Sequence, residues 1–276
     1  MKLVVGLVVS VNDDLILTLE VIKSLIDQTD REFNTLVLFN GFKEIPRNIE
    51  AVLSGLFAKI IIDQEQKFFY QRLNELMSLM ADDDVFVRVD ADDVCLPHRI
   101  EMTRNAVLRC EENGKKYVVY GGAWEITASG SRGLRKPIDV RKHFSGSKLS
   151  NPIVHSTVAF PVQAVRRAGG YPPFQKAQDL ALWIKLYTLG FSFESIDQPL
   201  VYFMLPQNPG KKRGLKYFKS ELYIYIYALR RKYVSPLKFV LSTIRKFTVR
   251  ALFTLTPDWL SSRIIDEIIK YRHNKL

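Results

Sequence analysis

Over the first 90 residues, near-continuous apolar runs alternate with segments of helical period, and the last run ends on three closely spaced carboxylates. Leu3 to Val11 reads as a strand, Leu15 to Ile26 as a helix, and Thr35 to Phe39 as a second strand closed by Asn40-Gly41. A further cycle follows: Ile49 to Phe57 helical, Lys59 to Ile62 a short strand, Phe69 to Met80 helical, Val85 to Val89 a strand. Arg99 to Glu111 continues as a helix and Tyr117 to Tyr120 as a strand. Buried strands separated by helices predict an α/β fold with a mostly parallel sheet covered on both faces. In such sheets ligands bind beyond the carboxyl ends of the strands, which directs attention to the residues after Val11, Phe39, Val89 and Tyr120.

A chain of 276 residues, 47% hydrophobic and 25% charged, excludes collagen-like, disordered and disulfide-stapled miniature architectures. Cys95 and Cys110 match neither a disulfide framework nor paired zinc spacing, so a reducing compartment is expected. Met1 to Ser10 reads as a buried strand and not as a targeting segment, because Asn12, Asp13 and Asp14 interrupt it. The longest uncharged stretch, Leu149 to Val165, is broken by Pro152 and Pro161, so no membrane-spanning helix is expected.

Asp90-Ala91-Asp92-Asp93 follows Val89 directly. Three carboxylates at one strand end repel one another unless a cation or a donor network compensates. Hard oxygen ligands suit Mg²⁺ or Mn²⁺, with open positions left for phosphate oxygens; the competing reading is an acidic turn capping the next helix. Asp82-Asp83-Asp84 precedes the same strand and is expected at the opposite sheet edge as a solvated loop.

A second constellation runs from Asn151 through His155 to Phe160, then Gly169-Gly170-Tyr171, then Gln178-Asp179-Leu180-Ala181-Leu182-Trp183. Asp179 falls in the first turn of an amphipathic helix, where an acid serves as a cap or dipole partner or, functionally, as a general base. His155 is read as a substrate contact or a satisfied structural residue, and Trp183 as a sugar platform or a core residue.

The formal net charge of +11 is concentrated. Residues 211–276 hold 16 Lys and Arg against 4 acids, which leaves 24 against 25 before them. Pro206, Pro209 and Gly210 mark the boundary, just before Lys211, Lys212 and Arg213. We therefore expect a main domain over 1–210 and a basic, aromatic, helical tail over 211–276. In Leu237 to Phe253, Leu237, Val240, Leu241, Ile244, Phe247 and Ala251 recur at helical spacing among Lys238, Arg245, Lys246 and Arg250. An anionic membrane surface is the expected partner, against packing on the main domain; no nucleic-acid module is recognisable, so no nucleic-acid partner is expected.

Val8-Val9-Ser10 with Asn12, Ser24 to Thr29, Leu73-Asn74, Arg88 to Asp93 with Pro97 and Arg99, and then His155, Gly169-Gly170-Tyr171 and Asp179 to Trp183 occur in an order that resembles family-two glycosyltransferases of bacterial polysaccharide or lipopolysaccharide biosynthesis. The resemblance spans about residues 1 to 205. It implies a GT-A fold, Rossmann-like with a mostly parallel sheet flanked by helices, here with a basic amphipathic helical extension at its C-terminal side. It also implies an inverting transfer of a hexose from a nucleotide sugar, with UDP as the expected nucleotide. Carried over by position, Ser10, Asn12, Asn40, Asn74, Arg88, Asp90 and Asp92 would meet the donor. Asp90, Asp92 and Asp93 would hold Mn²⁺ or Mg²⁺, Asp179 would be the base, and His155, Gln178 and Trp183 would face the acceptor. The acceptor expected is a lipid-linked or lipopolysaccharide-type glycan at the cytoplasmic face of the plasma membrane.

The chain departs from the family pattern in places. Asn40 stands where an aspartate usually meets the base, Gln178 where a carboxylate usually precedes the catalytic one, and Phe203-Met204 where an arginine often lies near the diphosphate. Lys211, Lys212 or Arg213 would replace that arginine only by folding back. The Gln-x-x-Arg-Trp signature of processive synthases is absent, which favours one sugar per encounter. A nucleotidyltransferase is the enzymatic rival, but the acidic, glycine-free Ser10 to Asp14 turn does not suit a triphosphate. A degenerate membrane-associated binding module is the non-catalytic rival. Ala128 to Lys148 reads as a loop, either an acceptor lid or a plain connection.

Overall fold

A computed structural model describes residues 2–56, 58–114, 116–205 and 218–274. The chain opens with β1 (Lys2–Ser10), α1 (Leu15–Ile26), β2 (Phe33–Asn40), α2 (Arg47–Leu53), β3 (Ala58–Asp63), α3 (Phe69–Ser78) and β4 (Asp84–Asp90). These follow the sequence periodicity closely, except that α2 ends at Leu53. Strands β1 to β4 are parallel, in the order β3-β2-β1-β4. Alternation along β1 divides the core between the two faces. Val4 and Val8 join the α3 layer, and Leu3, Val5, Leu7 and Val9 join that of α1, α2 and α4 (Arg99–Glu112).

The second half is less regular. It contains β5 (Val94–Cys95), β6 (Tyr117–Ile126), β7 (Arg132–Arg135), α5 (Val140–Ser145), β8 (Ala159–Pro161), α6 (Val162–Arg167), α7 (Gln178–Thr188) and β9 (Ser192–Met204), with a 3₁₀ turn at His155–Thr157. Antiparallel β8 joins β4 to β6, β9 runs parallel to β6, and β5 pairs antiparallel with β9. The sheet is therefore mixed, parallel in its first half and interrupted by β8. The stretch expected as a loop over 128–148 is largely built into the fold. Its β7 pairs with β6, and Val140 and Phe144 of α5 are buried. The acidic triplet 82–84 does lie at the edge opposite Asp90, but it is not simply solvated. Asp84 is buried and accepts from Ala81 N at 2.8 Å, and Asp82 pairs with Arg166 at 2.7 Å.

Three helices follow: α8 (Phe218–Arg230), α9 (Pro236–Leu255) and α10 (Asp258–Asn274). The boundary cluster Pro206, Pro209 and Gly210, with Lys211, Lys212 and Arg213, lies outside the described residues. Packing on the main body holds for part of this region: Ile224, Tyr225 and Ala228 of α8 belong to the main core, and Ile269 of α10 is buried where Gly133 of β7 allows close approach. Helix α9 is tied to α8 by Glu221, which pairs with Lys246 at 3.0 Å and Arg250 at 2.6 Å. Its apolar stripe is not packed away: Leu237, Ile244 and Leu255 are 70%, 59% and 82% exposed. Among the described residues no helix is long and apolar enough to cross a membrane.

Gly6, at the centre of β1, is required by packing, since a Cβ there would fall inside the Phe86 ring. Overpacking of this kind costs about 1–3 kcal/mol, so Gly6→Ala is expected to lower the urea midpoint by a corresponding amount, with the unfolding slope unchanged.

Candidate active site

Parallel pairing sets Ser10, Asn40 and Asp63 side by side at the carboxyl ends of β1, β2 and β3, with Asp90 of β4 opposite Val8. The edge is braced from below. Asn40 Nδ2 donates to Ser10 Oγ at 3.3 Å and Lys67 O at 3.1 Å, while its Oδ1 accepts from Lys67 N at 3.0 Å and Arg72 Nε at 2.8 Å. The wholly buried Arg72 also pairs with Asp63 at 2.7 Å and Glu75 at 2.6 Å.

Beyond β4 the turn gathers the oxygens of Asp90, Asp92 and Asp93 within 4.8 Å of one another. Asp90 is ion-paired with the buried Arg88, whose guanidinium lies 4.8 Å from the centre of the Phe69 ring and donates to Gly6 O at 3.3 Å. Asp93 is buried; its Oδ1 accepts from Met204 N at 3.2 Å, and its Oδ2 has no hydrogen-bond partner among the described residues. Burial pushes its carboxyl well above the usual range, and Asp90 and Asp92 push it further. Asp92 reaches the surface, yet the protein packed around its carboxyl, together with Asp90 and Asp13, raises it to about 6. Asp13 accepts from Ser10 N at 2.7 Å and is itself raised, chiefly by burial. Four acids thus gather at this strand end, with buried Arg88 paired to Asp90 beneath them. An unpartnered buried carboxylate oxygen within a three-carboxylate cluster fits a hard divalent cation.

The opposite wall is carried by α7. Ala177, at its N-cap, holds φ +52°, a left-handed conformation that costs a non-glycine residue about 1–2 kcal/mol and aims the next turn. Half-buried Asp179 accepts from Asn151 Nδ2 and, at 2.8 Å, from Leu180 N. Between the two acidic poles stands His155, its Nε2 2.9 Å from the Tyr171 hydroxyl and its ring 6.1 Å from that of Trp183. Burial lowers His155 and raises Tyr171, so both are neutral at pH 7; Asp90 and Asp179 both act on them electrostatically.

Several expected roles need correction. Asn40 is 3% exposed with its amide hydrogen bonds spent on Ser10, Lys67 and Arg72, so it braces strands and has no free edge for a base. Asn74 spends its amide on Tyr171, donating to its O at 3.0 Å and accepting from its N at 2.8 Å. Gly170 permits that approach, with φ +57° and no Cβ to strike Asn74 Oδ1. Arg88 acts on the cluster through Asp90 from beneath and does not reach the surface. Trp183 is fully buried and is a core residue, not a sugar platform. Ser10 and Asn12 remain at the rim, Asn12 exposed; Gln178 is buried at the start of α7. Sequence reasoning gave no role to Asp13, Asn151 or Tyr171. Asp13 stood in plain view in the polar turn after β1, while the Asn151 to Asp179 bond spans 28 residues and left no local signal.

A mixed α/β sheet, parallel in its first half, carries a three-carboxylate turn at the end of β4 and a helix-borne aspartate on α7, an arrangement of GT-A type. No protein-family model matches the chain. It is 28% identical over 185 residues to a UDP-Gal:alpha-D-GlcNAc-diphosphoundecaprenol beta-1,3-galactosyltransferase of Escherichia coli, a match that spans 66% of each chain, just under two thirds. It is 24% identical over 242 residues to the amylovoran biosynthesis glycosyltransferase AmsE of Erwinia amylovora, covering 86% of this chain and 87% of that one. In fold it resembles the mannosyltransferase PcManGT from Pyrobaculum calidifontis, solved with GDP-Man and Mn²⁺, with a TM-score of 0.65, 14% identity, and coverage of 99% of this chain and 84% of that one. The fold is therefore of GT-A type, and the curated proteins the chain is similar to are bacterial glycosyltransferases.

The acid crowding has a sign that can be measured. A carboxyl whose folded pKa lies above its unfolded value of about 3.9 stabilises the fold below that value and loses the contribution as pH rises through the folded one. For Asp92 that window runs from about 4 to about 6. In EDTA, Asp92→Asn is therefore expected to melt above wild type at pH 8, with the difference vanishing towards pH 4.

Proposed function

We propose that the chain transfers one hexose per encounter, with inversion, from a nucleotide sugar, UDP-linked, to a hydroxyl of a lipid-linked saccharide. The observation that carries this reading is the convergence of the 90–93 carboxylates and Asp179 on opposite sides of the His155–Tyr171 pair. Asp90, Asp92 and Asp93 would hold Mn²⁺ or Mg²⁺, which offsets the charge on a departing nucleoside diphosphate. Asp179 takes the proton of the attacking hydroxyl, with Asn151 orienting its carboxylate. Neutral His155 and Tyr171 line the space between without adding a competing charge. The UDP and lipid-diphosphate assignments draw support from the donor and acceptor in the name of the Escherichia coli relative, and the metal from the Mn²⁺ in the Pyrobaculum calidifontis mannosyltransferase complex.

The tail fits an acceptor held in a membrane. Helix α9 presents exposed Leu237, Ile244 and Leu255 on one stripe of a basic helix, the composition of a helix that lies in an anionic interface. The enzyme would then work peripherally on the cytoplasmic face of the plasma membrane.

The decisive assay is nucleoside-diphosphate release from a panel of nucleotide sugars, with Mn²⁺ or with EDTA. Metal-dependent release from one donor is expected. Asp179→Asn should lower kcat by about 10²- to 10⁴-fold with donor affinity unchanged, and full turnover in that variant would overturn the base assignment. Asp92→Ala should abolish Mn²⁺-dependent donor binding in calorimetry. For the membrane assignment, Ile244→Asp with Leu255→Asp should weaken binding to phosphatidylglycerol vesicles at least about tenfold, since each buried aliphatic side chain contributes about 1.5–3 kcal/mol.

A further inference from the structure

A second concavity lies away from the carboxylates, between the segment that follows α5 and the flank of α9, with a volume of about 630 Å³. Its α9 side is formed by Lys238, Leu241, Ser242, Arg245, Lys246 and Val249, spaced so that they make one continuous stripe on the helix. Leu149 and Tyr225 close it from the main body, and Lys148 stands at its mouth. Four cationic side chains line the cavity and no acidic one does.

Those cations are not equally committed. Lys246 pairs with Glu221 at 3.0 Å, and Lys238 Nζ reaches Gly146 O at 3.5 Å. Lys148 and Arg245 are both exposed, and neither has an acidic partner among the described residues. The 146–150 segment is fixed in place by Tyr233, whose hydroxyl donates to Lys148 O at 3.0 Å, and by His143, whose Nε2 lies 2.8 Å from Ser150 O. Ser150 lines the cavity, and the next residue, Asn151, donates to Asp179. An occupant of the cavity is thus one residue along the chain from the partner of the proposed base. At about 100° per residue, the exposed Leu237, Ile244 and Leu255 stripe lies roughly a third of a turn round α9 from the centre of the cavity face.

We infer that this cavity seats the diphosphate and first lipid carbons of a lipid-linked acceptor, with the chain leaving along the exposed apolar stripe of α9 and the saccharide directed at Asp179. The inference rests on the transferase reading above. Charge selects the occupant: two cations without acidic partners, backed by two more, match a diphosphate. The apolar residues between them give a free diphosphate nothing and give an alkyl chain a surface. The position beside Asn151 supplies what a phospholipid headgroup has no use for, room for a sugar at the base.

The test uses the full chain in EDTA, so that no metal can hold a diphosphate at the carboxylates, with farnesyl diphosphate titrated by calorimetry. Farnesyl diphosphate is expected to bind, with inorganic pyrophosphate and farnesol each at least tenfold weaker. Lys148→Ala with Arg245→Ala should weaken binding at least tenfold with an unchanged melting temperature, and Lys148→Arg alone should retain it. Saturating UDP should not compete. Equal affinity in the double variant, equal binding of pyrophosphate, or displacement by UDP would each overturn the proposal. So would an equal loss of phosphatidylglycerol-vesicle binding in the double variant, because the patch would then be a general lipid-headgroup surface. Metal-dependent nucleotide release is measured on the same wild-type preparations. Release without farnesyl diphosphate binding rejects the cavity alone, and binding without release from any donor rejects the transferase reading.

Discussion

The site depends on buried arginine. Arg72, Arg88 and Arg99 are fully buried near the strand ends, and each bonds to groups that position the site. Arg72 braces Asn40 and Asp63, Arg88 holds Asp90, and Arg99 donates to Arg88 O and to Ser156 O in the 3₁₀ turn that carries His155. A guanidinium suits this role because its fork serves several acceptors at once and it remains charged when desolvated. Such pairs contribute little net stability once their desolvation is counted. Their effect here is geometric, since they fix which carboxylates face the cleft and which bind the frame.

Around that frame the protein accepts electrostatic strain. Asp13, Asp90, Asp92 and Asp93 lie close enough that several are pushed towards protonation, and among the described residues Asp93 Oδ2 has no hydrogen-bond partner. Across the cleft the left-handed Ala177 stores backbone strain just ahead of Asp179. Strain on both sides of one opening is the pattern expected of a site whose ligands relieve it. The neutral His155–Tyr171 pair lies between the two sides and keeps them from being bridged by a fixed internal charge.

The C-terminal helices differ in how far they pack on the body. Helix α8 contributes Ile224, Tyr225 and Ala228 to the main core, so it is part of the fold. Helix α9, fastened to it through Glu221, turns its own apolar stripe outward and shares a basic cavity with the segment leading to Asn151. One helix thus buries a face against the body while its neighbour leaves an apolar stripe exposed.

By itself the sequence determined the first four strands, their helices and the delivery of Asp90, Asp92 and Asp93 to one strand end, because burial on both faces writes a local, periodic signal. It also showed the charge imbalance of the tail and the position of Asp179 in a first helical turn. It did not show β8 or β9, whose short or mixed sequences form strands only because β4 and β6 offer them edges. Nor did it show that the amides of Asn40 and Asn74 are consumed internally, that Trp183 is sealed in the core, or that Asn151 reaches Asp179. Those were decided by tertiary structure alone. Hydrogen bonding and burial depend on which residues meet across the fold, and residues far apart in the chain carry no local mark of the partner they will find.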